Sequence, residues 1–169
     1  MLSGNFVFTI ESVNDSPVLS ANTGLTVTEG GSGLLASSNL AFTDVDNTTS
    51  DLDLIISSNV ANGTLVFSGS GNFSVADIAT GSVNYIHDGG ETTSDSFTFD
   101  VLDGAGGNLT SHNFSITVTP VDDAPVLSAN TGVTVPEGNV VVISSSNLLY
   151  TDADTIDSDL NFTLTSNVS

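Results

Sequence analysis

The sequence contains neither lysine nor arginine. Its 169 residues include 20 aspartates and glutamates, so the formal charge is −20. Proteins that bind nucleic acid neutralise phosphates with Lys and Arg side chains, so we expect no nucleic-acid partner. For the same reason we do not expect the chain to bind an anionic membrane surface. Because self-repulsion at this charge weakens a compact state, the composition favours a bound cation, and a divalent metal ion in particular.

Cysteine and long apolar runs are also absent. Without cysteine the chain has neither a disulfide scaffold nor a thiolate metal site. No apolar run approaches the roughly 18 residues that span a bilayer, so we expect no membrane insertion in this segment. The first residues lack the basic and apolar regions of a signal peptide. With 38% apolar residues, the chain can nevertheless build a core, unlike an acidic disordered tail.

A long internal repeat organises the sequence. The stretch VNDSPVLSANTG begins at Val13, and VDDAPVLSANTG begins 108 residues later at Val121. The match extends without gaps over both copies, which is typical of a tandem array. We therefore predict that residues 1–15 are the C-terminal strand of a preceding repeat, that 16–123 form a complete repeat, and that 124–169 are the N-terminal portion of the next.

Within one repeat the residue pattern is that of β-strands. Phe97, Phe99 and Val101 alternate with polar residues, as do Phe114 and Ile116, and such a period of two indicates half-buried strands. Glycine-rich and Asn-Gly turns separate the apolar runs. We expect about seven strands for each repeat, one short helical turn between residues 74 and 80, and an all-β fold of two antiparallel sheets packed face to face.

One segment is more specific than this general pattern. FSVADIATGSVNYIHDGGE begins at Phe73, and DSFTFDVLDG follows from Asp95. The segment closely resembles the chondroitin sulfate proteoglycan-type repeat, which occurs in large animal matrix proteins and, as cadherin-like modules, in very long bacterial surface adhesins. The resemblance covers the whole repeat, including the Val-Asp-Asp-Ala-Pro linker. It implies a cadherin-like sandwich, tandem stacking and an extracellular location.

The resemblance also implies calcium between successive repeats. In cadherins its ligands come from a glutamate near the first strand, acidic residues in mid-domain, the linker, and an Asp-x-Asp of the next domain. The matching residues here are Glu29, Asp122, Asp123, Asp152 and Asp154. The cadherin Leu-Asp-Arg-Glu motif is missing, since there is no arginine, and its candidate replacements are Asp88, Glu91 and Asp103. The repeat adds Asn14, Asp15, Asp44, Asp46 and Glu137 to the predicted ligands.

The residue types also favour calcium when the family resemblance is left aside. Calcium takes six to eight oxygen ligands, often carboxylates with backbone carbonyls. On an extended segment the two carboxylates of Asp152-x-Asp154 project to one side, and Asp122-Asp123 at the joint supplies further oxygens. Because the chain has no basic side chain to neutralise these anions, their crowding at a junction favours a bound Ca²⁺.

We expect a structural role as a calcium-stiffened spacer repeat of an extracellular adhesin or cell-surface stalk, in contact with adjacent repeats of the same chain. One alternative is a subunit of a self-assembling filament, in which like chains complete each other by strand exchange. Another is a calcium-dependent glycan- or protein-binding module, although the sequence has no tryptophan and two tyrosines.

Enzymatic activity is not expected. His87-Asp88 matches a catalytic base with its orienting carboxylate, but no nucleophile is marked near it. We interpret the pair as a strand end that runs into the Asp-Gly-Gly turn, His112 as a surface strand residue, and Tyr85 and Tyr150 as core packing.

Overall fold

The computed structural model describes residues 4–69, 73–156, 159–163 and 165–166. The chain divides into two compact units, Met1–Thr119 and Pro120–Ser169. The first unit contains β1 Val18–Asn22, β2 Leu25–Thr28, β3 Ser32–Leu35, β4 Leu40–Thr43, β5 Asp53–Ser58, β6 Gly63–Phe67, α1 Val75–Ala79, β7 Val83–His87, β8 Ser94–Leu102 and β9 Asn108–Thr119. The second contains β10 Val126–Asn130 and β11 Leu148–Thr151.

The first unit is a β-sandwich, which confirms the predicted fold class. One sheet has the strand order β2-β9-β8-β5, a second has the order β3-β7-β6, and β1 pairs with β4. Both larger sheets contribute to one core: Phe97 and Phe99 of β8 pack in the same buried cluster as Val83 and Tyr85 of β7. The alternating apolar residues of β8 therefore face the core, as the sequence pattern predicts.

One strand pair differs from the antiparallel prediction. β2 runs parallel to β9, from Leu25 opposite Ile116 to Thr28 opposite Thr119. Local alternation predicts strands but carries no information about the direction of a distant partner. Other contacts show where the chain enters and leaves the first unit. Ser16 and the Asp15 carbonyl lie against Gly107, immediately before β9 begins, and the chain leaves the unit at Thr119, where β9 ends. Entry and exit therefore lie at opposite ends of the unit.

The predicted helical turn is confirmed as α1. It begins after Ser74, whose hydroxyl accepts a hydrogen bond from the Asp77 N–H at 3.2 Å, while the Asp77 carboxylate accepts one from the Ser74 N–H at 2.7 Å. This reciprocal capping satisfies amides that a helix start leaves without partners. The helix buries Val75 and Ile78 against the core. Among the described residues, no helix has the length and apolar character needed to cross a membrane.

The second unit reproduces only part of the first. β10 pairs with β11 in the register of β1 with β4, including the same bulge. Residues 133–136 and 140–143 match β2 and β3 in the repeat but form no strand. In the first unit β2 pairs with β9 and β3 with β7, and residues 133–136 and 140–143 have no such partner strands among the described residues.

Residues 4–17 form no strand either. Their assignment to the final strand of a preceding repeat stays a prediction, as do the repeat boundaries at residues 16, 123 and 124. Residues 1–3 of that segment lie outside the part of the chain that the structure describes.

Candidate metal centre

The predicted ligands of the first unit fall into two groups at opposite ends of β8. This strand has nine residues, which span about 30 Å. Its last residue, Leu102, lies opposite Asn108, whereas its first, Ser94, lies opposite Thr117. The end near Leu102 holds Asn14, Asp15, Asp44, Asp46 and Asp103, and the end near Ser94 holds Glu29, Asp88 and Glu91.

Asp103 anchors the first group. It follows β8 directly and is 4% exposed, and its Oδ1 accepts hydrogen bonds from the N–H groups of Ala105, Gly106 and Gly107 at 2.8 to 3.0 Å. The bond from the Asn14 amide lowers the pKa of the Asp103 carboxyl. Burial acts in the opposite direction, and the three backbone N–H groups lower this pKa further. Asp103 is therefore an anion at neutral pH, held by neutral donors.

The linker is attached to this end of the unit by two hydrogen bonds. The Asn14 side-chain amide donates to Asp103 Oδ2 at 2.7 Å, and the Asp15 N–H donates to Asp46 Oδ2 at 2.7 Å. Gly107 makes room for the linker, because a Cβ there would lie 2.8 Å from Ser16 Cα and 2.9 Å from the Asp15 carbonyl oxygen. The short glycine-rich loop after β8 thus packs directly on the linker backbone.

The Asp-x-Asp segment follows β4. Asp44 Oδ1 accepts hydrogen bonds from the N–H groups of Asp46 at 2.8 Å and Asn47 at 2.9 Å, a local turn that Asp side chains favour. The other oxygen, Asp44 Oδ2, is buried and has no hydrogen-bond donor among the described residues. The same is true of Asn47 Oδ1, while Asn47 Nδ2 donates to the Asp103 carbonyl at 3.5 Å.

These two oxygens test whether a cation fits this end of the unit. Buried acceptors without a donor are costly and rare in folded proteins, and a cation would satisfy both. The surrounding group (Asn14, Asp15, Asp44, Asp46, Asn47 and Asp103) offers carboxylate, amide and carbonyl oxygens and contains neither His nor Cys. Oxygen-only sets with several carboxylates suit Ca²⁺ and disfavour softer transition metals. The residues present therefore fit calcium.

Asn47 is the residue of this group that sequence reasoning missed. It lies next to Asp46, but asparagine is frequent throughout the chain, and its counterpart in the repeat is Thr155. Neither residue type nor repetition distinguishes it. Only the fold shows that its amide oxygen is buried without a donor, in a residue whose N–H donates to Asp44.

The second unit contains the same local geometry. The Asp123 N–H donates to Asp154 Oδ2 at 2.6 Å, and Asp152 Oδ1 accepts from the Asp154 and Thr155 N–H groups at 3.0 and 2.7 Å. Asp122 occupies the position of Asn14. The described residues of this unit supply the linker and Asp-x-Asp parts of the arrangement. Glu137 is exposed.

The other end of the first unit brings Glu29 and Glu91 together. The Glu29 N–H donates to the Thr119 carbonyl at 2.9 Å, so Glu29 lies where the chain leaves the unit, and one carboxylate oxygen of each glutamate lies within 4.8 Å of the other. Asp88 is half-exposed and accepts a hydrogen bond from the Gly90 N–H at 3.0 Å. The structure thus separates Asp88 and Glu91 from Asp103.

The histidines and tyrosines take structural positions. His87 ends β7 before the Asp-Gly-Gly turn, as interpreted. Its buried ring accepts hydrogen bonds at Nδ1 from the Gly30 and Gly89 N–H groups, both at 3.2 Å, and Nε2 lies 2.9 Å from Thr92 Oγ1. Tyr85 is fully buried. His112 lies half-buried on β9, and half-buried Tyr150 packs edge-on against Phe162.

Comparison with known proteins agrees with this fold. Residues 17–119 match the Cadherin-like family model. The chain is 40% identical over 158 residues to Extracellular matrix protein 3 of Lytechinus variegatus and 36% identical over 177 residues to human FRAS1-related extracellular matrix protein 2. These alignments cover 88% and 95% of the chain but only 5% and 6% of the relatives. Human chondroitin sulfate proteoglycan 4 is 38% identical over 85 residues, which are 48% of the chain and 4% of that protein.

These relatives confirm the resemblance to the chondroitin sulfate proteoglycan-type repeat and the predicted extracellular location, since they are matrix proteins. Calcium, the adhesin context and the spacer role go beyond these matches. The family model covers more than half of the chain, and the chain therefore belongs to the cadherin-like family as an extracellular structural repeat.

Proposed function

We propose that the chain is a calcium-stiffened spacer of a long extracellular adhesin or matrix protein. One observation carries this proposal: Asp44 Oδ2 and Asn47 Oδ1 are buried without donors, in a loop that is hydrogen-bonded both to the linker and to Asp103. When bound, Ca²⁺ would supply the positive charge that satisfies them. Asp44, Asp46, Asn47 and Asp103 would hold it from the unit, and Asn14 with Asp15 from the linker.

The linker residues explain how such a site stiffens an array. Asn14 and Asp15 belong to the connection, whereas Asp46 and Asp103 belong to loops of the folded unit. Ligands drawn from both parts fix the direction in which the connection leaves the unit. Without the ion, the carboxylates of Asp15, Asp46 and Asp103 repel one another with no basic side chain to offset them, and the joint loosens.

The topology suits a spacer that contacts the adjacent repeats of its own chain. Because the linker lies against Gly107 just before β9 begins and the chain leaves at Thr119, where β9 ends, entry and exit lie at opposite ends of the first unit, and successive repeats would extend in series. The chain has no tryptophan, and of its two tyrosines Tyr85 is fully buried and Tyr150 is half-buried, so neither of these two residue types is well exposed for stacking on a sugar. These features support a structural, non-enzymatic role.

Calcium titration by isothermal calorimetry tests the proposal. We expect the chain to bind Ca²⁺ with a dissociation constant of about 10⁻⁴ to 10⁻³ M, as extracellular calcium modules do. Asp103→Asn removes a charged ligand and is expected to weaken binding about tenfold or more. Asp100→Asn, the same substitution on β8 but outside the group, is the matched control and leaves the affinity within about twofold. Equal affinities for the two variants would contradict the assigned site.

A second candidate function, a subunit of a self-assembling filament, has its own supporting observation. Phe6, Phe8 and Ile10 alternate along the N-terminal segment, and each is more than 80% exposed. Large apolar side chains that are exposed in a contiguous row mark interaction surfaces. Light scattering over a range of protein concentrations tests this candidate: the mean mass is expected to rise with concentration, and a constant monomer mass would overturn it.

A further inference from the structure

We propose that β6 is a self-association edge: β6 of one copy pairs antiparallel with β6 of a second copy, and the two three-stranded sheets become one sheet of six strands. The contact lies within the first unit, between Gly63 and Phe67. It goes beyond the spacer role, because it joins separate chains side by side. It uses none of the proposed calcium ligands and needs no ion.

β6 is the last strand of its sheet, so one of its edges has no partner strand. It pairs with β7 on one side. On the other side no strand or isolated bridge reaches it in the part of the chain that the structure describes. An edge of this kind presents backbone N–H and C=O groups that can pair with another extended chain.

The hydrogen bonds of β7 show which groups of β6 face the free edge. The His87 N–H donates to the Gly31 carbonyl, toward β3, and the Asp88 N–H donates to the Asn62 carbonyl, toward β6. These directions alternate along an antiparallel strand, so β7 bonds to every second residue of β6, namely Thr64 and Val66. The remaining three residues direct their N–H and C=O groups to the free edge: Gly63, Leu65 and Phe67.

β6 also lacks the features that protect an edge strand from pairing, which are charged side chains, prolines and bulges. Between Asp53 and Asp77 the chain has neither a charged residue nor a proline, and the register of β6 with β7 contains no bulge. β5, the end strand of the other large sheet, differs in two respects. It begins with Asp53, which also bridges Ser74, and its register is interrupted between Ile56 and Ser58.

Apolar side chains lie on both sides of the β6 edge. On the inner side, Leu65 and Phe67 pack against the core but are only partly buried. On the outer side, each of the three strands exposes one large apolar side chain: Leu34, Val66 and Ile86 are 58%, 44% and 41% exposed. Exposed apolar side chains that lie together mark interaction surfaces, and the outer side of these three strands carries no charged residue.

The charge of the chain favours a second copy at this edge over any other surface for self-association. Two copies of charge −20 repel each other, and β6 lies in the longest stretch of the sequence without an aspartate or glutamate. Asp88, which follows β7, lies one strand away from the contact. A two-fold axis through β6 places the two copies of Asp88 at opposite ends of the joint sheet.

The edge is complementary to itself when that axis passes at Leu65. Leu65 then lies opposite Leu65 of the second copy, and Gly63 lies opposite Phe67. All three residues that direct their backbone groups outward meet their equivalents, as an antiparallel ladder requires, and the contact is isologous. Phe67 of each copy would cover Gly63 of the other, an arrangement that stabilises glycines at sheet edges.

This symmetry determines how two arrays meet and how strong one contact is. The axis makes the two chains run in opposite directions. A five-residue edge buries less than the roughly 1,200 Å² of a stable interface, so we expect a weak equilibrium between monomer and dimer for a single repeat. In a tandem array, each contact makes the next one intramolecular and thereby strengthens the association.

Cysteine cross-linking tests the register directly, because the chain has no native cysteine. Thr64 lies opposite Val66 of the second copy, both are exposed, and such a pair has its Cα atoms about 4.5 Å apart, within the reach of a disulfide. A tagged Thr64→Cys variant is mixed with an untagged Val66→Cys variant under oxidising conditions. Ile86→Cys replaces Val66→Cys as the matched control, since Ile86 has similar exposure on the same side but lies one strand farther from the edge. We expect at least about fivefold more mixed disulfide with Val66→Cys.

A pair of charge substitutions gives a second readout by sedimentation equilibrium. Val66→Asp places a carboxylate from each copy at the contact, whereas Leu34→Asp places the same charge on the same side of the sheet but on the strand away from it. We expect Val66→Asp to raise the dissociation constant at least about tenfold and Leu34→Asp to change it by about twofold at most. Equal melting temperatures of the two variants check that the difference does not arise from unfolding.

Selective cross-linking together with the loss of the dimer in Val66→Asp supports the contact, and a mean mass that levels off at twice the monomer mass distinguishes it from a filament. Cross-linking that is equal with Ile86→Cys would indicate that the sheets pack face to face, and it overturns the edge pairing. A monomer at all concentrations without the Thr64–Val66 disulfide also overturns it. The measurements are made in Ca²⁺ and in EDTA at equal ionic strength, and a dimer that forms only with Ca²⁺ would contradict an ion-independent edge while leaving the calcium site standing.

Discussion

The Asn14 side-chain amide donates a hydrogen bond to the Asp103 carboxylate at 2.7 Å, across 89 residues of sequence. Asn14 belongs to the connection that enters the first unit, and Asp103 follows the long central strand β8. The bond therefore ties the linker to the end of a central strand of the sandwich. It also places the linker amide beside the loop in which Asp44 and Asn47 have unsatisfied buried oxygens.

Gly107 is expected to be required where the loop meets the linker. In Gly107→Ala the new methyl group would meet the Asp103 carboxylate, Ser16 and the Asp15 carbonyl, and such overpacking costs about 1 to 3 kcal/mol. We expect the free energy of unfolding to fall by this amount and calcium affinity to fall with it. Gly69→Ala, whose methyl group meets only the Phe67 ring at 3.4 Å, is the control. Urea unfolding and calorimetry measure both quantities, and equal behaviour of the two variants would refute the packing role.

A buried network around Asp95 is expected to hold the turn between β5 and β6. Asp95 accepts hydrogen bonds from the N–H groups of Ala61, Asn62 and Ser96 at 2.8 to 2.9 Å and from the Tyr85 hydroxyl at 2.9 Å. Asp95→Ala leaves buried donors without an acceptor and is expected to lower the free energy of unfolding by about 2 to 4 kcal/mol. Tyr85→Phe removes one donor and should cost about 1 kcal/mol. If urea unfolding shows similar losses for both, the carboxylate is not the centre of the network.

Stability is expected to fall in acid for a reason that the structure specifies. Burial raises the pKa of Asp95, but the N–H groups of Ala61, Asn62 and Ser96 and the Tyr85 hydroxyl outweigh it, so the net pKa is lowered. The pKa of Asp103 is also lowered, chiefly by the Asn14 amide. A carboxyl with a lowered folded-state pKa contributes stability above its unfolded value, about 3.9, and that stability is lost as the pH falls through the folded-state pKa.

Urea unfolding in EDTA between pH 6 and pH 3 measures this dependence without metal binding. The free energy of unfolding is expected to be nearly constant down to about pH 4.5 and to drop below it. In Asp95→Asn the drop should be shallower, because one of the responsible groups no longer titrates. A pH dependence that is the same in the wild type and in Asp95→Asn would show that the pKa of Asp95 is not lowered in the folded state.

Calcium is expected to raise the melting temperature. At a free concentration of about one hundred times the dissociation constant, one site contributes about 2.7 kcal/mol, which corresponds to roughly 10 °C for a domain of this size. Scanning calorimetry in Ca²⁺ and in EDTA at equal ionic strength measures the difference. Equal ionic strength is the necessary control, since screening alone reduces repulsion within a chain of charge −20. Superimposable scans would count against a structural ion.

Local sequence pattern predicts the parts of the fold that depend on neighbouring residues. The alternation of Phe97, Phe99 and Val101 is reproduced as the buried side of β8, and Ser74 with Asp77 caps the predicted helical turn. Residues 133–136 show the limit of such reasoning. They share the alternation of β2 but form no strand, because a strand also needs a partner that the local pattern does not supply.

The candidate site shows a similar limit. Repetition identifies Asp15, Asp44 and Asp46 as a recurring acidic group, and the fold places them together with Asn14 and Asp103. Assigning Asp103 to this end of the unit, and Asp88 with Glu91 to the other, requires knowledge of where β7 and β8 end in space. Asn47 could not be identified from the sequence for the same reason, since its distinguishing feature is a buried amide oxygen without a donor.

A high-resolution crystal structure of the chain grown in millimolar Ca²⁺, with anomalous scattering to identify the ion, tests the calcium site most directly. We expect a calcium peak among Asn14, Asp44, Asp46 and Asp103, with Asp44 Oδ2 and Asn47 Oδ1 at 2.3 to 2.6 Å from it. Water molecules at ordinary hydrogen-bonding distances from those two oxygens, with no anomalous peak between them, would contradict the proposed centre.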